Sequence, residues 1–341
     1  MKAKTIICLM VISMYSCQDK QTQVTSSVGE MAGEMAGEMM FEPTVEFITP
    51  GAHMATIPPE VDSLEVVMWG AGGSGGAQLG STGGGAAAGR FQLDLTQFSH
   101  ELILWVGEGA GRQGSGGGGS FLYYLNENGE TILIAAIAGG GGGASDGNSG
   151  RSWTGGRGGA GGWTQGQSGQ DLGVHQNGTM YEHCRAATPG TGATQVGPGN
   201  GGAFLGTANG CIGISGQDHL GGSVTSSGIG DQFRCVENME REAWTLALGQ
   251  GNGGGGAGGG GYYGGGSGGF VWTYCGAGGG GGSSWVHPNA NNVSGEDGQN
   301  TDPGFLLLSN GAGFGGQEDH IDLPRDDTSY QGQHGRIAFS Y

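Results

Sequence analysis

Ile132-Leu-Ile-Ala-Ala-Ile-Ala-Gly-Gly-Gly-Gly-Gly143 sets seven apolar residues directly against five glycines. The apolar half reads as a strand covered on both faces, since no polar residue interrupts it. The glycine half has no side chain to bury. The same alternation of short strands and glycine runs organises the chain around it. Leu64 to Trp69 and Leu102 to Val106 are also continuously apolar, while Arg90-Phe-Gln-Leu-Asp-Leu-Thr96 alternates with Phe91, Leu93 and Leu95 on one face. Phe121 to Leu125 and Thr131 to Ile137 flank Asn126-Glu-Asn-Gly-Glu130, a hairpin signal with a glycine ready for a positive φ. Phe305 to Leu308 and Arg336 to Tyr341 read as two more strands, and no 15-residue stretch of the body has helical periodicity. The expected class is all-β, a sandwich.

The chain has 341 residues, 84 of them glycine, and only four of those lie before Trp69. The main runs are Gly70–Gly89, Gly114–Gly119, Gly139–Gly162, Gly249–Gly269 and Gly276–Gly282. No strict every-third register runs through the chain and there are nine prolines, so collagen is excluded. Seven Trp, nine Tyr and eleven Phe are more than a flexible linker needs. As open loops the runs would lose heavily in backbone entropy. The expected ordered form is an extended left-handed helix with three residues per turn and no internal hydrogen bonds. Glycine lets several such helices approach until the N–H of one meets the C=O of another. Such a bundle would have a core made of backbone.

Several stretches carry a resemblance by their order. They are Leu64-Glu-Val-Val-Met-Trp-Gly-Ala-Gly-Gly73, Phe91-Gln-Leu, Leu104-Trp-Val-Gly107, Gly116-Gly-Gly-Gly-Ser-Phe-Leu-Tyr123 and Ile132 to Gly143. Gly251 to Gly266, Cys275 to Gly282 and the closing Gly335-Arg-Ile-Ala-Phe follow. Together they resemble the extracellular glycine-rich domain of anaplastic lymphoma kinase and leukocyte tyrosine kinase, over about residues 45–341. Similar domains occur in bacterial and phage surface proteins. The resemblance implies a jelly-roll-like β-sandwich with an inserted polyglycine-II helix bundle that binds extracellular ligands. It implies no kinase activity here, and no ligand-contacting residue is carried over.

Residues 1–16 read as a lipoprotein signal peptide. Lys2 and Lys4 form a basic start, Ile6 to Ile12 is an apolar stretch, and Met14-Tyr-Ser-Cys17 resembles a lipoprotein box with Cys17 as the acylated residue. Met14 and Tyr15 depart from the usual leucine and small residue. Residues 17–44 read as a disordered acidic tether, in which Gly29-Glu-Met-Ala, Gly33-Glu-Met-Ala and Gly37-Glu-Met-Met repeat. As a helix this segment would stack like charges four apart and carry a glycine in every turn. Residues 45–341 form the glycine-rich domain. The expected location is a bacterial cell envelope, lipid-anchored at the outer membrane or cell surface, with the membrane met only through the anchor. Cys184, Cys211, Cys235 and Cys275 are disulfide candidates for that oxidising compartment, with three pairings open.

Charge removes whole classes of partner and chemistry. The formal net charge is −18, and from Gln21 onward the only Lys or Arg residues are nine arginines. Nucleic-acid binding lacks its electrostatic footing, and the lysine of nucleotide-driven enzymes is missing from the body. Gly109-Ala-Gly-Arg-Gln-Gly114 matches a dinucleotide fingerprint, but no helix is expected after it. No cofactor is expected. Calcium is the one ion that the acidic loops suit, with Asp297, Asp302, Asp319 and Asp322 as candidate oxygens and solvated charge as the plain alternative. Trp153, Trp163, Tyr262, Tyr263, Trp272, Tyr274 and Trp285 lie in or beside glycine runs. They would cap the bundle or offer rigid platforms to a protein or a glycan. The expected function is a surface-tethered, non-enzymatic binding or adhesion module. A structural spacer of the envelope or of a surface appendage is the alternative, and an exported hydrolase the second.

Overall fold

The computed structural model describes residues 43–76, 81–111, 114–144, 156–170, 187–203, 210–211, 213–221, 225–227, 235–237, 255–271, 275–298, 313, 315 and 331–341. The signal segment, Cys17, the tether up to residue 42 and the strand expected at Phe305 to Leu308 lie outside them. The described residues contain strands and no helix.

Two five-stranded antiparallel sheets carry the fold. The first contains β1 (Val45–Phe47), β3 (Ser63–Trp69), β4 (Ala88–Asp94), β14 (Asn291–Glu296) and β15 (Arg336–Ser340), in the order β1-β15-β3-β4-β14. The second contains β2 (Gly51–Thr56), β5 (Glu101–Val106), β6 (Ser120–Leu125), β7 (Thr131–Ile137) and β13 (Trp285–Val286), in the order β13-β7-β6-β5-β2. Leu64, Val66, Phe91, Leu93 and Phe339 from the first sheet join Leu102, Leu104, Leu122 and Ile134 from the second in one buried cluster. The alternation of Phe91, Leu93 and Leu95 puts all three in that cluster. The strand expected at Arg336 to Tyr341 is β15, which sits between β1 and β3.

Both ends of the sheets show in the connections. The β2–β3, β4–β5, β6–β7 and β13–β14 links are a few residues long, and in one of them Gly129 closes the 126–130 hairpin at φ +75°. At the other end β3, β5 and β7 each run out into glycine-rich segments, and β4, β6, β13 and β15 are each entered from one. There the backbone takes over from side chains as the packing material. The N–H groups of residues 139–144 show how. Gly139 and Gly142 donate to Gly260 and Ala257, both at 2.8 Å; Gly140 and Gly143 donate to Ala71 and Ser74; Gly141 and Ala144 donate to Gly159 and Gly156. Each neighbouring segment is met again at every third residue. Carbonyls of the same stretch accept from three other segments: Ala138 and Gly141 from Ala87 and Gly84, Gly139 and Gly142 from Gly282 and Gly279, and Gly140 from Gly117. Residues 138–144 are thus bonded to six surrounding segments.

Residues 276–284 repeat the arrangement. They donate to segments around residues 139–142, 162–170 and 263–269, and accept from segments around 156–162, 190–193 and 256–262. Every amide of residues 138–144 and 277–284 has a partner without a sheet or helix ladder. Outer segments are built differently. In residues 164–170 Gly166 and Gly169 are buried while Thr164, Gln165, Gln167, Ser168 and Gln170 are exposed. Ala187, Gly190 and Ala193 are likewise the buried every-third residues of their segment. Inner segments need small residues throughout, and outer ones need them at one position in three.

Five buried serines add side-chain bonds to the network. Ser81 Oγ donates to the carbonyl of Ala144 (2.5 Å), Ser120 Oγ to that of Trp69 (2.6 Å) and Ser284 Oγ to that of Gly162 (2.9 Å). Ser74 Oγ accepts from the N–H of Ser115, and Ser267 Oγ from that of Ile214. Each hydroxyl stands in for a peptide group, and leaving one of these buried groups unbonded would cost about 1–3 kcal/mol.

Candidate functional site

Three of the seven aromatic residues marked in the sequence come together at the seam between the second sheet and the glycine segments. Their register is set by hydrogen bonds. Gly256, Gly259 and Tyr262 donate in steps of three to Ala277, Gly280 and Ser283, so Tyr262 arrives beside the strand that begins at Trp285. Pairing of β13 with β7, Trp285 opposite Ala136, then fixes the indole at the sheet edge. Tyr262 and Trp285 stack with centroids 5.2 Å apart at 17°. Tyr263 meets Tyr262 edge-on at 4.9 Å.

Other rings extend the pair in both directions. Trp285 meets His287 at 5.9 Å, His287 meets Phe98 at 5.6 Å, and Phe98 meets Tyr124 at 5.4 Å, all close to perpendicular. On the other side Tyr262 meets His219 at 6.2 Å, and His219 meets Phe121 at 5.2 Å. Phe121 stacks with Tyr123. The row therefore starts in the shared core at Phe98, rounds the sheet edge at β13 and ends on the outer side of β6. Tyr123, His219, Tyr262, Tyr263, Trp285 and His287 are half-buried, so the row reaches the surface. Burial pushes the Tyr123 phenol up, keeping it protonated and able to donate.

His219 is the strained member. It has φ 65°, a left-handed conformation that a residue with a Cβ adopts only when its surroundings impose it. Here the 217–220 turn does so. Gln217 N–H donates to Leu220 O at 2.8 Å, His219 N–H donates to Tyr262 O at 3.1 Å, and the ring Nδ1 lies 3.3 Å from Gly261 O. That last contact is a hydrogen bond only if Nδ1 carries the proton. Asp218, in the same turn, forms a bridge with Tyr263 and is exposed.

Trp163 stands elsewhere. It packs on the shared core, and a Cβ at Gly89 or Gly295 would lie less than 3.0 Å from its indole. Both glycines make room for the ring. Its backbone N–H donates to Oδ1 of Asp297, one of the calcium candidates, at 2.7 Å. Asp302, Asp319 and Asp322 lie outside the described residues, as do Trp153, Trp272, Tyr274 and Cys184; of the side chains of Cys211, Cys235 and Cys275 nothing is described. Among the described residues no three His, Cys, Asp or Glu side chains gather where an ion could sit.

Backbone register still bears on the cysteines. Cys211 lies in β8 (Gly210–Cys211) and Cys275 in β12 (Cys275–Gly276), on either side of β11 (Phe270–Val271). Cys235 lies in β10 (Cys235–Glu237), paired with β9 (Thr225–Ser227). Two strand spacings separate the Cα atoms of Cys211 and Cys275 by about 10 Å, beyond the reach of a disulfide.

Sequence reading missed His219, His287 and Phe98. Each is a single ring in a turn or link, and only the fold shows that they continue the row. The described residues of the 109–114 fingerprint belong to the backbone network, where Ala110 donates to Gly72 O and Gly114 to Gly75 O. No protein-family model matches the chain, and no curated protein matches it.

Proposed function

We propose that the chain is a surface-tethered, non-enzymatic binding or adhesion module that presents its glycine-rich domain to an extracellular ligand. The observation that carries this reading is the half-exposed row of rings around Tyr262 and Trp285. Rigid aromatic side chains with few rotamers lose little entropy on contact, which is why they dominate recognition surfaces. The glycine segments are proposed to be polyglycine-II helices inserted in a jelly-roll-like β-sandwich, held further by two disulfides. The return to each neighbour at every third residue supports three residues per turn, and six neighbours per inner segment support hexagonal packing. In this reading the sequence at 1–17 supplies a lipid anchor in a bacterial envelope, and the acidic tether holds the domain off the membrane.

The spacer reading is favoured by a different observation, the density of cross-links through residues 138–144 and 276–284, which makes a stiff body whether or not anything binds it. One experiment separates the two. Full-length chain in lipid vesicles is passed over immobilised bacterial envelope material, beside the Tyr262→Ala/Trp285→Ala variant. Saturable binding that weakens at least tenfold in the variant is the expected result. Equal retention of both, with unchanged near-ultraviolet circular dichroism apart from the lost rings, would leave the spacer.

A further inference from the structure

We propose that the row binds a neutral glycan, with the Tyr262–Trp285 pair as the platform for a sugar ring and the exposed Asp218 and Gln217 as partners for its hydroxyls. This rests on the binding reading above and names its ligand class.

The argument begins with what surrounds the rings. A pyranose has one face of C–H bonds, polarised by the neighbouring oxygens, and a rim of hydroxyls. The C–H face suits the negative face of an aromatic ring, and the hydroxyls suit a carboxylate or an amide that can accept or donate at their edge. The row supplies both kinds of group. Tyr262, Tyr263 and Trp285 are half-buried aromatics. The 217–220 turn, fixed on Tyr262 O through His219, carries Gln217 and Asp218 into solvent beside them. Small numbers of placed polar groups among aromatic ones are the usual composition of a small-molecule site.

Charge and surface chemistry narrow the class. The chain is net −18, and Asp218 adds a carboxylate beside the platform. Arg90 and Arg336 are engaged on the first sheet, with Glu65 and with Glu46 and Trp69. A uronate, sulfated or phosphorylated ligand would therefore meet repulsion and no arginine from that sheet. A protein partner would gain from apolar side chains beside the rings, because the fully buried centre of a protein interface is its more apolar part. The large hydrophobics with high exposure among the described residues are Ile48, Met54, Val196, Val293 and Tyr341, none of them on β6, β13 or the turns that carry the row. Exposed residues of the glycine segments are mostly polar, among them Thr164, Gln165, Gln167, Ser168, Thr191, Gln195 and Asn200, with Val196 as the apolar exception. That chemistry is of hydroxyl and amide hydrogen bonding, which fits a polyol.

The test uses the full chain with four probes: mannohexaose, cellohexaose, chitohexaose and hexagalacturonate. Tryptophan emission and saturation-transfer NMR report binding. At least one neutral hexamer should shift the emission saturably, with transfer to its ring C–H protons. Affinity should fall tenfold or more in Trp285→Ala and in Tyr263→Ala, and several-fold in Asp218→Asn, which leaves the packing of the rings alone. Hexagalacturonate should bind at least tenfold more weakly than the best neutral probe. Tighter binding of hexagalacturonate overturns the proposal, as does neutral binding that is unchanged in all three variants. Absence of binding to every hexamer also overturns it. If binding to envelope material still depends on the rings after that material has been treated with periodate, the module reading stands and its ligand is a protein.

Discussion

At Gly141 the reason for glycine is space. A Cβ there would lie less than 3.0 Å from the carbonyl oxygen of Gly279, and the same holds at Gly139, Gly140 and Gly142 against other carbonyls. None of these residues has the positive φ that glycine is usually kept for; among the described glycines only Gly51, Gly114, Gly129 and Gly313 do. Gly141→Ala should therefore destabilise the domain by about 3 kcal/mol, the upper end for overpacking, because the oxygen it strikes belongs to a bonded backbone. Gly197 is the contrast, with nothing within 4 Å of an added Cβ. Gly197→Ala should leave stability unchanged or raise it by up to about 1 kcal/mol through the unfolded chain. Urea unfolding of both variants checks the pair. The sequence alone does not separate the two positions, since a glycine leaves no mark of which carbonyl fills its missing side chain. Serines were equally opaque. Ser81 and Ser284 look like polar interruptions, and in the fold each replaces a peptide group.

Strands were legible wherever side chains decided them. Leu64 to Trp69, Phe121 to Leu125 and Thr131 to Ile137 are found within a residue of where their apolar patterns end. β14 was not, because Asn291-Asn-Val-Ser-Gly-Glu296 is an exposed edge strand with a register shift between Asn291 and Ser294 and has no apolar face to announce it. Short links obey ordinary turn chemistry. Asp94 ends β4 and accepts from Thr96 N–H, Thr96 Oγ1 and Gln97 Nε2. The Thr96 side chain, then Gln97, then the Thr96 amide hold its carboxyl below the ordinary value of 3.8. A depressed carboxyl contributes stability above its unfolded value and loses it as pH falls through the folded one. In Asp94→Asn the acid limb of thermal stability below about pH 4 should be shallower, with the native slope restored above it. Calorimetry from pH 2 to 7 reads both. The elements also limit the cysteines: peptide mapping without reductant should find no fragment linking Cys211 to Cys275. Such a fragment would mean that β8, β11 and β12 are not neighbours in this order.

For the molecule as a whole, the row of rings was half legible. Tyr262, Tyr263 and Trp285 stood out for their place beside glycine, but Trp163 stood out for the same reason and turned out to be packed on the core beside Gly89 and Gly295. Composition cannot tell an aromatic that fills a space left by glycine from one that faces outward. The glycine segments can be examined collectively by amide hydrogen exchange on the intact chain. Residues 139–144 and 277–283 should exchange as slowly as β3 and β6, since their N–H groups are bonded within the same compact body. Exchange at the free-chain rate there would remove the inner segments from the stable structure.

The outer segments, with glycine or alanine at one position in three, have a consequence for how such a protein can grow. A sheet adds strands at two edges, and a conventional core resists any added volume. Here a new layer could be laid on any flank by an insertion with a small residue at every third place and almost anything between. Gln167, Ser168 and Gln170 act as the finish on that flank. Thickness would then be an evolvable dimension, set by how many times a simple triplet is inherited, while the sheets that anchor it stay as they are.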